Sequence, residues 1–591
     1  FIYYFVFPIS AVVCIFVLAA FALAFRFYAR WLAEKVFELD DSRQTPAHTH
    51  EDGVDYVPTN KHVLFGHHFS SIAGAAPIVG PAVAVIWGWV PAVLWIAFGV
   101  VFAGAVHDMG ALVISMRHGG RSIGDVTASV IGPRSRVLFL LIIFFLTTMV
   151  LAVFAFVIGM LFTMYPGAIL PVMVEIPVAC LVGWWAYKKS GDLLVPSIVV
   201  LLLLYVLIYV GAQTADTAQA VQADLFGAQR SDQVLGWCYL LLIYSFVASV
   251  LPVWLLLQPR DFINSHQLIV GLGALIVGLI IVHPPMDVPA FQAFVPIDAP
   301  PEGAVVDGAA SGGAGGTKHW FPLLFVTIAC GAVSGFHGLV SSGTTAKQIE
   351  KESDAKSIGY GAMLGEGTLA LLATLAATAG FATVADKGWH DHFGSWEAAN
   401  GLGAKLTAFV DGSGVFLGGL GIAASVGTVV VAVLVISFAA TSLDTATRIQ
   451  RFVVQELGAI YKIKPLTNRY VAGLVAVGSA LFLLLAASPK GPGSGGLVLW
   501  PLFGAGNQLL ACLTLLVISI WLKQLGKNYW ITLIPAGLLG LVTCVAMSIN
   551  VQNFYAAENW MLLSIAGVIV VLELWIVLEG ISAFRDRKES T

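Results

Sequence analysis

Residues 64–81 read LFGHHFSSIAGAAPIVGP. The run is apolar enough to belong to a membrane segment, yet it holds two adjacent histidines, two serines, three glycines and two prolines. A continuous lipid-facing helix has no use for such residues. In hydrocarbon, an unwound backbone survives only where protein or a water-filled cavity satisfies its NH and CO groups. The stretch therefore reads as an interrupted span facing an internal cavity.

The rest of the chain supplies the membrane context. Its 591 residues are 58% hydrophobic and 11% charged, with a mean hydropathy of +0.88. A soluble domain carries about 25% charged residues, so this chain has too few to cover a water-facing surface of its size. Its apolar runs fit helices crossing a core about 30 Å thick, which takes about 20 residues each. Apolar blocks separated by polar or Gly/Pro-rich breaks give fifteen spans: 4–25, 63–86, 88–116, 136–163, 171–187, 193–211, 234–257, 267–283, 320–345, 359–385, 413–443, 469–487, 498–522, 530–550 and 560–583. The first is followed by Arg and Trp without a small-residue cleavage site, and reads as a membrane helix rather than a signal peptide. With the N-terminus outside, 25 of the 30 Lys and Arg residues fall on the inner side. A miscounted span would invert every later loop, so the bias supports the count. This predicts a multi-pass protein of the cell (inner) membrane, N-terminus outside and C-terminus cytoplasmic.

A second segment resembles the first. Residues 328–347, IACGAVSGFHGLVSSGTTAK, are apolar at one end, dense in Gly, Ser and Thr, and carry His337 in the middle. The two interrupted spans are the second and the ninth, seven crossings apart, so they run in opposite directions. Five spans from each start give 63–211 and 320–522, the layout of inverted-repeat secondary transporters, whose paired discontinuous helices form the substrate site near the midplane. The fold class expected is an all-α polytopic membrane protein, a single transporter domain with a leucine-transporter-like 5+5 inverted repeat. Spans 234–283 would be inserted between the repeats, with one extra helix at the N-terminus and peripheral helices over 530–583.

Ionisable groups at the centre of a span cost about 2.5–3.5 kcal/mol on insertion scales, and persist where they face a cavity or partner. Asp108, beside His107, and Glu366 lie in the second helices of the two repeats, at roughly equivalent positions; each could carry a proton, pair with a histidine, or simply bond a neighbouring helix. Thr441, Ser442 and Asp444 are hard oxygen donors suited to Na⁺, although Asp444 pairing with Arg448 at i+4 explains the same residues without an ion. Arg260 and Asp261 read as anchors at an inner membrane boundary, Asn507 and Gln508 as helix–helix hydrogen-bonding amides, and Glu573 has no evident partner. Outside, residues 284–319 contain the Gly-rich run DGAASGGAGG and residues 386–412 form a second polar insertion, where His390 and His392 flank Asp391 in a solvated loop. The six cysteines, Cys14, Cys180, Cys238, Cys330, Cys512 and Cys544, lack CxxC spacing, which points to neither a disulfide framework nor a zinc site.

Six ordered stretches together resemble the carbon starvation protein A (CstA) family: DGVDYVPTNKHVLFGHHFSSIAGAAPIVGP (52–81), LPVWLLLQPRDF (251–262), TIACGAVSGFHGLVSSGTTAKQI (327–349), IGYGAMLGEG (358–367), SLDTATRIQRF (442–452) and LWPLFGAGNQLLA (499–511). The resemblance implies a membrane transporter of peptides, with pyruvate uptake in some relatives, on a fold of the leucine-transporter superfamily. His107 stands where some relatives would have a neutral amide.

The leading expectation is ion-coupled uptake of a small zwitterionic or anionic nutrient, foremost short peptides. His67, His68, Ser70, Ser71 and the free backbone NH groups near Gly74 would receive the carboxylate, and Ser334, His337, Ser341 and Ser342 would complete the pocket. Adjacent helical residues point about 100° apart, so only one of His67 and His68 faces the cavity; His68 is the choice. Coupling through Asp108 or Glu366 suggests H⁺, and through Thr441, Ser442 and Asp444 suggests Na⁺. The rival of the same class is a pyruvate (monocarboxylate) proton symporter; from another class, a passive channel. No enzyme is expected: metal-oxidase histidine boxes are absent and the Gly-Ser-Gly runs lie in loops. Partners are the small-molecule substrate, the coupling ion and membrane lipids; neither a cofactor beyond a possible bound Na⁺ nor nucleic acid is expected.

Overall fold

After a first span, Ile9–Val36 (α1), the chain enters the segment with the paired histidines and breaks it. The computed structural model, which describes residues 9–297, 317–384, 389–487 and 495–585, shows Lys61–Ile72 (α2) and Ala76–Trp87 (α3) bent by 47° about residues 73–75. Asn60 caps α2 by accepting the His62 NH. Pro77 sits in the first turn of α3, where its missing NH leaves no hydrogen bond unmade. There follow Trp89–Arg117 (α4), Ile123–Val130 (α5), Pro133–Met164 (α6), the hairpin Pro166–Lys189 (α7) and Leu194–Gln213 (α8), then Arg230–Val250 (α9) and Leu257–Val282 (α10). Phe294–Pro296 (β1) pairs antiparallel with Thr317–His319 (β2).

The second interrupted span is cut more finely. Trp320–Thr327 (α11) and Ala329–Ala332 (α12) lead to Val333 and Ser334 in extended backbone, after which Gly335–Gly343 (α13) resumes. The rest is Glu352–Thr383 (α14), three shorter helices Trp389–Phe393 (α15), Trp396–Asn400 (α16) and Leu402–Gly418 (α17), then Ala424–Ile460 (α18), Arg469–Ala486 (α19), Leu499–Gln524 (α20), Trp530–Ala556 (α21) and Trp560–Arg585 (α22). Among the described residues thirteen single helices are long and apolar enough to cross a membrane, and the bent α2–α3 pair is a fourteenth candidate. The ninth expected span, 320–345, exists only as the three short pieces α11–α13.

Three boundaries differ from the sequence reading. The expected span 413–443 is divided: α17 ends at Gly418 and α18 begins at Ala424, with Gly421 turning the chain at φ +79°. The expected polar loop 386–412 is largely helical among its described residues, and α17 packs inward, its Gly412 backbone against Gly380 and its Phe416 against Gly278. Helix α10 starts ten residues before the expected 267, with Pro259 in its first turn, so Arg260 and Asp261 are buried rather than at a boundary. Helix α10 lies against α2 and α18, and Trp237 of α9 meets Phe162 of α6 with tilted rings, centres 4.6 Å apart. The α7–α8 hairpin lies at the side, exposing Leu181, Trp184, Val195, Val199, Leu202 and Val206. Such an apolar face suits hydrocarbon. The Gly-rich run at 307–316 lies outside the described residues.

Charge separates the two faces. On one, Arg117 and Arg43 share Glu352, Lys61 reaches Asp354, Asp55 pairs with Arg448 and Arg451, and Lys527 meets Glu38. Residues 26–62, 117–136, 346–358, 444–469 and 523–529 thus converge, as the charge count required. On the opposite face Ser10 bonds Pro284, Trp87 bonds Lys318, and Glu397 bonds Ile297.

Candidate functional site

The two intramembrane acids come together on one histidine. Helix α4 widens into a π-helical turn over Val100–Gly104 just before Asp108, and α14 does the same over Lys356–Gly361 before Glu366. Such wide turns recur at functional sites because they re-aim the residues that follow. Gly104 lets α4 press on the second break: a Cβ there would meet the Ala332 carbonyl at 2.3 Å. His337, on α13 just past that break, has Nδ1 3.0 Å from Asp108 Oδ2 and Nε2 3.1 Å from Glu366 Oε2. His107 Nδ1 lies 2.7 Å from the other Asp108 oxygen. All four side chains are buried.

The paired histidines of the first break diverge, as residues 100° apart should. His67 Nδ1 lies 2.5 Å from Asp261 of α10, and Ser70 donates to the Asp261 carbonyl at 2.9 Å. His68 Nδ1 lies 2.8 Å from the Thr345 hydroxyl, beyond the end of α13. His68 therefore faces the second interrupted span and His67 faces α10. The Nε2 atoms of His67, His68 and His107 and the Ser341 hydroxyl are buried with no hydrogen-bond partner in the protein, and His337 Nε2 and the Glu366 oxygens, though within ion-pair distance, lie outside hydrogen-bond geometry.

The remaining site residues divide into three groups. Ser71 lies 3.0 Å from Thr445 Oγ1 and its carbonyl accepts from Ser442 at 2.8 Å, while Gly74 approaches so closely that a Cβ would meet Ser442 Oγ at 2.7 Å. Ser334 is held by Asn507, which donates Nδ2–H at 3.0 Å and accepts the Phe336 NH at 2.8 Å, so Asn507 secures the second break. Gln508 donates to the Phe325 carbonyl at 2.7 Å. Ser342 turns away from the breaks: its hydroxyl bonds the Gly338 carbonyl and the Ile123 NH.

Thr441 and Asp444 sit elsewhere, and the local pairing read from the sequence is replaced. Asp444 does not bond Arg448. It accepts from Arg260 of α10 and from the Tyr244 hydroxyl of α9 at 2.7 Å, while Thr441 accepts from Arg260 at 2.9 Å and Asn264 at 3.2 Å. A guanidinium on these oxygens opposes a second cation at the same place. Arg448 instead binds Asp55 at 2.5 Å and the carbonyls of Ala248 and Leu251. Among the described residues no three His, Cys, Asp or Glu side chains are grouped to hold a metal ion.

Arg260, Asp261, Asn264 and Tyr244 were missed as site residues, as was the buried Glu175, which accepts from Ser437 at 3.4 Å. The signal was available: Pro259 marks a first helical turn, and Arg260, Asn264 and Gln267 recur at the spacing of one helix face. Glu573 has a neighbour too, the Cys544 thiol at 3.6 Å. On the charged face, burial alone would raise the Asp55 carboxyl, but Arg448, Arg451 and Lys347 outweigh it and hold it below the usual carboxylate range. Burial pushes the Lys347 ammonium down to about 8; it lies 3.6 Å from the centre of the Phe452 ring.

The fold and this buried cluster define a polytopic helical membrane protein with two interrupted spans meeting around ionisable residues. The chain belongs to the family described as "Carbon starvation protein CstA", whose sequence model matches residues 9–386 and 392–546. It is 35% identical over 580 residues to "Peptide transporter CstA" of Campylobacter jejuni, covering 90% of this chain and 78% of that protein. It is 34% identical over 587 residues to the protein of the same name in Escherichia coli K12, covering 91% and 80%. "Pyruvate/proton symporter BtsT" of Escherichia coli K12 is 32% identical over 603 residues, covering 91% and 80%. Among solved structures, MhsT in complex with L-phenylalanine superposes with TM-score 0.48 and 10% identity over 83% of this chain and 99% of that one. A manganese transporter of Eremococcus coleocola does so with TM-score 0.46 and 13% identity over 90% and 99%.

Proposed function

We propose that this protein is a secondary active transporter that imports short peptides across the inner membrane, coupled to H⁺. The observation that carries the coupling is His337, set between Asp108 and Glu366, because one imidazole and two buried carboxylates change their net charge with every proton gained or lost. The same cluster joins the second break to the helices that follow each break, so protonation bears directly on how the interrupted spans pack. The family relatives' names support the substrate class. Na⁺ is the less favoured coupling ion, since Arg260 already bonds Thr441 and Asp444 and, of the three expected ion ligands, Ser442 alone reaches the first break.

The binding region is the space between the breaks, where His68, Ser341 and the NH groups beside Gly74 receive the substrate carboxylate. Packing favours a repeat assignment in which α2–α3, α4, α6, α9 and α10 form one half, α11–α13, α14, α18, α19 and α20 the other, and the α7–α8 hairpin is the insertion. The charged face is cytoplasmic, the N-terminus lies outside, and the lipid bilayer covers the outer apolar surfaces. A second reading, a pyruvate–proton symporter, is favoured by the near-equal identity to BtsT. Neither reading involves covalent chemistry. Proteoliposomes with an imposed ΔpH or ΔNa⁺ separate them: accumulation of labelled dialanine under inward-acid ΔpH supports the peptide reading, and accumulation of pyruvate alone supports the second. Equilibration without accumulation would mean a passive channel.

A further inference from the structure

On the face opposite the charged one, α17 carries a lysine buried in an unusual setting. Lys405 is 3% exposed, and among the described residues no carboxylate or other acceptor pairs with its ammonium. An aromatic ring stands near it: Nζ lies 5.5 Å from the centre of Trp500, near the start of α20. A cation over an indole face is attracted by the ring quadrupole. A buried ammonium without a counter-ion still carries a desolvation cost that such a contact only partly offsets.

From Trp500 a continuous aromatic path leads to the first break. Trp500 stacks edge-on to Phe503, ring centres 5.8 Å apart, and Phe503 does the same to Phe154 of α6 at 6.1 Å. Phe154 closes against Gly74, where a Cβ would lie 3.1 Å from Cε2. Helix α17 is seated by the Gly412–Gly380 and Phe416–Gly278 contacts on α14 and α10, and near Lys405 it meets α6, where a Cβ on Gly403 would lie 3.5 Å from Met160 Cε. The path thus has the Lys405 ammonium at one end and the unwound backbone of the first break at the other.

We propose that Lys405 is a second carboxylate-binding point, which captures the substrate's carboxylate as it enters beneath α17 and passes it along Trp500, Phe503 and Phe154 to the break at Gly74. This rests on the transport reading and deepens it, naming a small carboxylate-bearing solute as the ligand. Burial pushes the Lys405 ammonium down to about 7; a docking carboxylate favours the charged form. A zwitterionic peptide adds an ammonium that the ring faces attract in turn.

The test uses purified full-length protein in proteoliposomes, with dialanine, its C-terminal amide and pyruvate as probes. For whichever free acid the parent carries, Lys405→Met should raise KM at least tenfold with little change in maximal rate, Lys405→Arg should restore most of the affinity, and KM for the amide should be the same in parent and Met variant. Thermal unfolding in detergent provides a readout apart from uptake: the Met variant should unfold no lower than the parent, yet lose the upward Tm shift that the free acid gives the parent. If Lys405→Met does not fold, Lys405→Gln takes its place with the same expectations. Uptake by the parent with an unchanged KM in the folded variant overturns this assignment alone. No uptake of either acid by the parent overturns the transport reading and this assignment with it.

Discussion

At His337 one imidazole lies 3.0 Å from Asp108 and 3.1 Å from Glu366, and His68 stands on the facing broken span bonded to Thr345. His337→Ala and His68→Ala should each abolish gradient-driven uptake, and His68→Ala should do so with the thermal unfolding profile of the detergent-solubilised protein near that of the parent. A variant that still accumulates substrate would place the pocket elsewhere. Arg260 makes the opposite kind of prediction. Removing one partner of a buried ion pair strands the other, at about 3–5 kcal/mol, so Arg260→Ala should lower Tm by several degrees and Asp444→Asn should do likewise. The histidines were legible in the sequence because an imidazole inside an interrupted span has few structural excuses. Arg260 and Asp261 were not, because a charged pair at the end of an apolar run reads as a boundary anchor; only their tertiary partners, His67 and Asp444, reveal a buried network. The i+4 reading of Asp444 with Arg448 failed for a related reason: Arg260 and Asp55 compete better for the two groups.

At the scale of elements, the interruption of both spans followed from composition, since Gly, Ser and Pro leave backbone groups that lipid cannot satisfy. The division of 413–443 into α17 and α18 was hidden because its glycines are as compatible with a tightly packed helix as with a turn. The early start of α10 was hidden by polar residues that face protein rather than water. The π-helical turns before Asp108 and Glu366 have no sequence signal, but they can be tested through Gly104. Replacing it with Ala gains about 1 kcal/mol of helix propensity. The new Cβ would meet the Ala332 carbonyl at 2.3 Å, a backbone atom that cannot swing aside, and overpacking of that sort costs about 1–3 kcal/mol. The clash decides the sign. Gly104→Ala should lower Tm and push Asp108 away from His337, with uptake reduced more than stability.

Across the whole molecule, the Lys and Arg count and the ion pairs agree on which loops share a face, while the exposed apolar residues of α7–α8, α21 and α22 mark where hydrocarbon lies. On the charged face Asp55 pairs with Arg448 and Arg451. Because the Asp55 carboxyl is held below the usual range, its contribution is fully present above the unfolded carboxyl's pKa of about 4 and is lost as pH falls through the lower folded value. Asp55→Asn should therefore unfold at lower temperature than the parent at pH 7, and the gap should narrow as pH drops below about 4. A gap independent of pH would show that the carboxylate's charge is not what holds this face.

The central claim is that protons held around His337 drive accumulation. Its most direct test is dialanine uptake into proteoliposomes under inward-acid ΔpH, comparing the parent with Glu366→Gln and following lumenal pH with a trapped dye. The parent should accumulate dialanine and acidify the lumen in step with it, and Glu366→Gln should exchange bound substrate across the membrane without accumulating it or moving protons. Undiminished proton-driven accumulation by Glu366→Gln, or accumulation by the parent that follows a Na⁺ gradient and ignores ΔpH, would contradict the account.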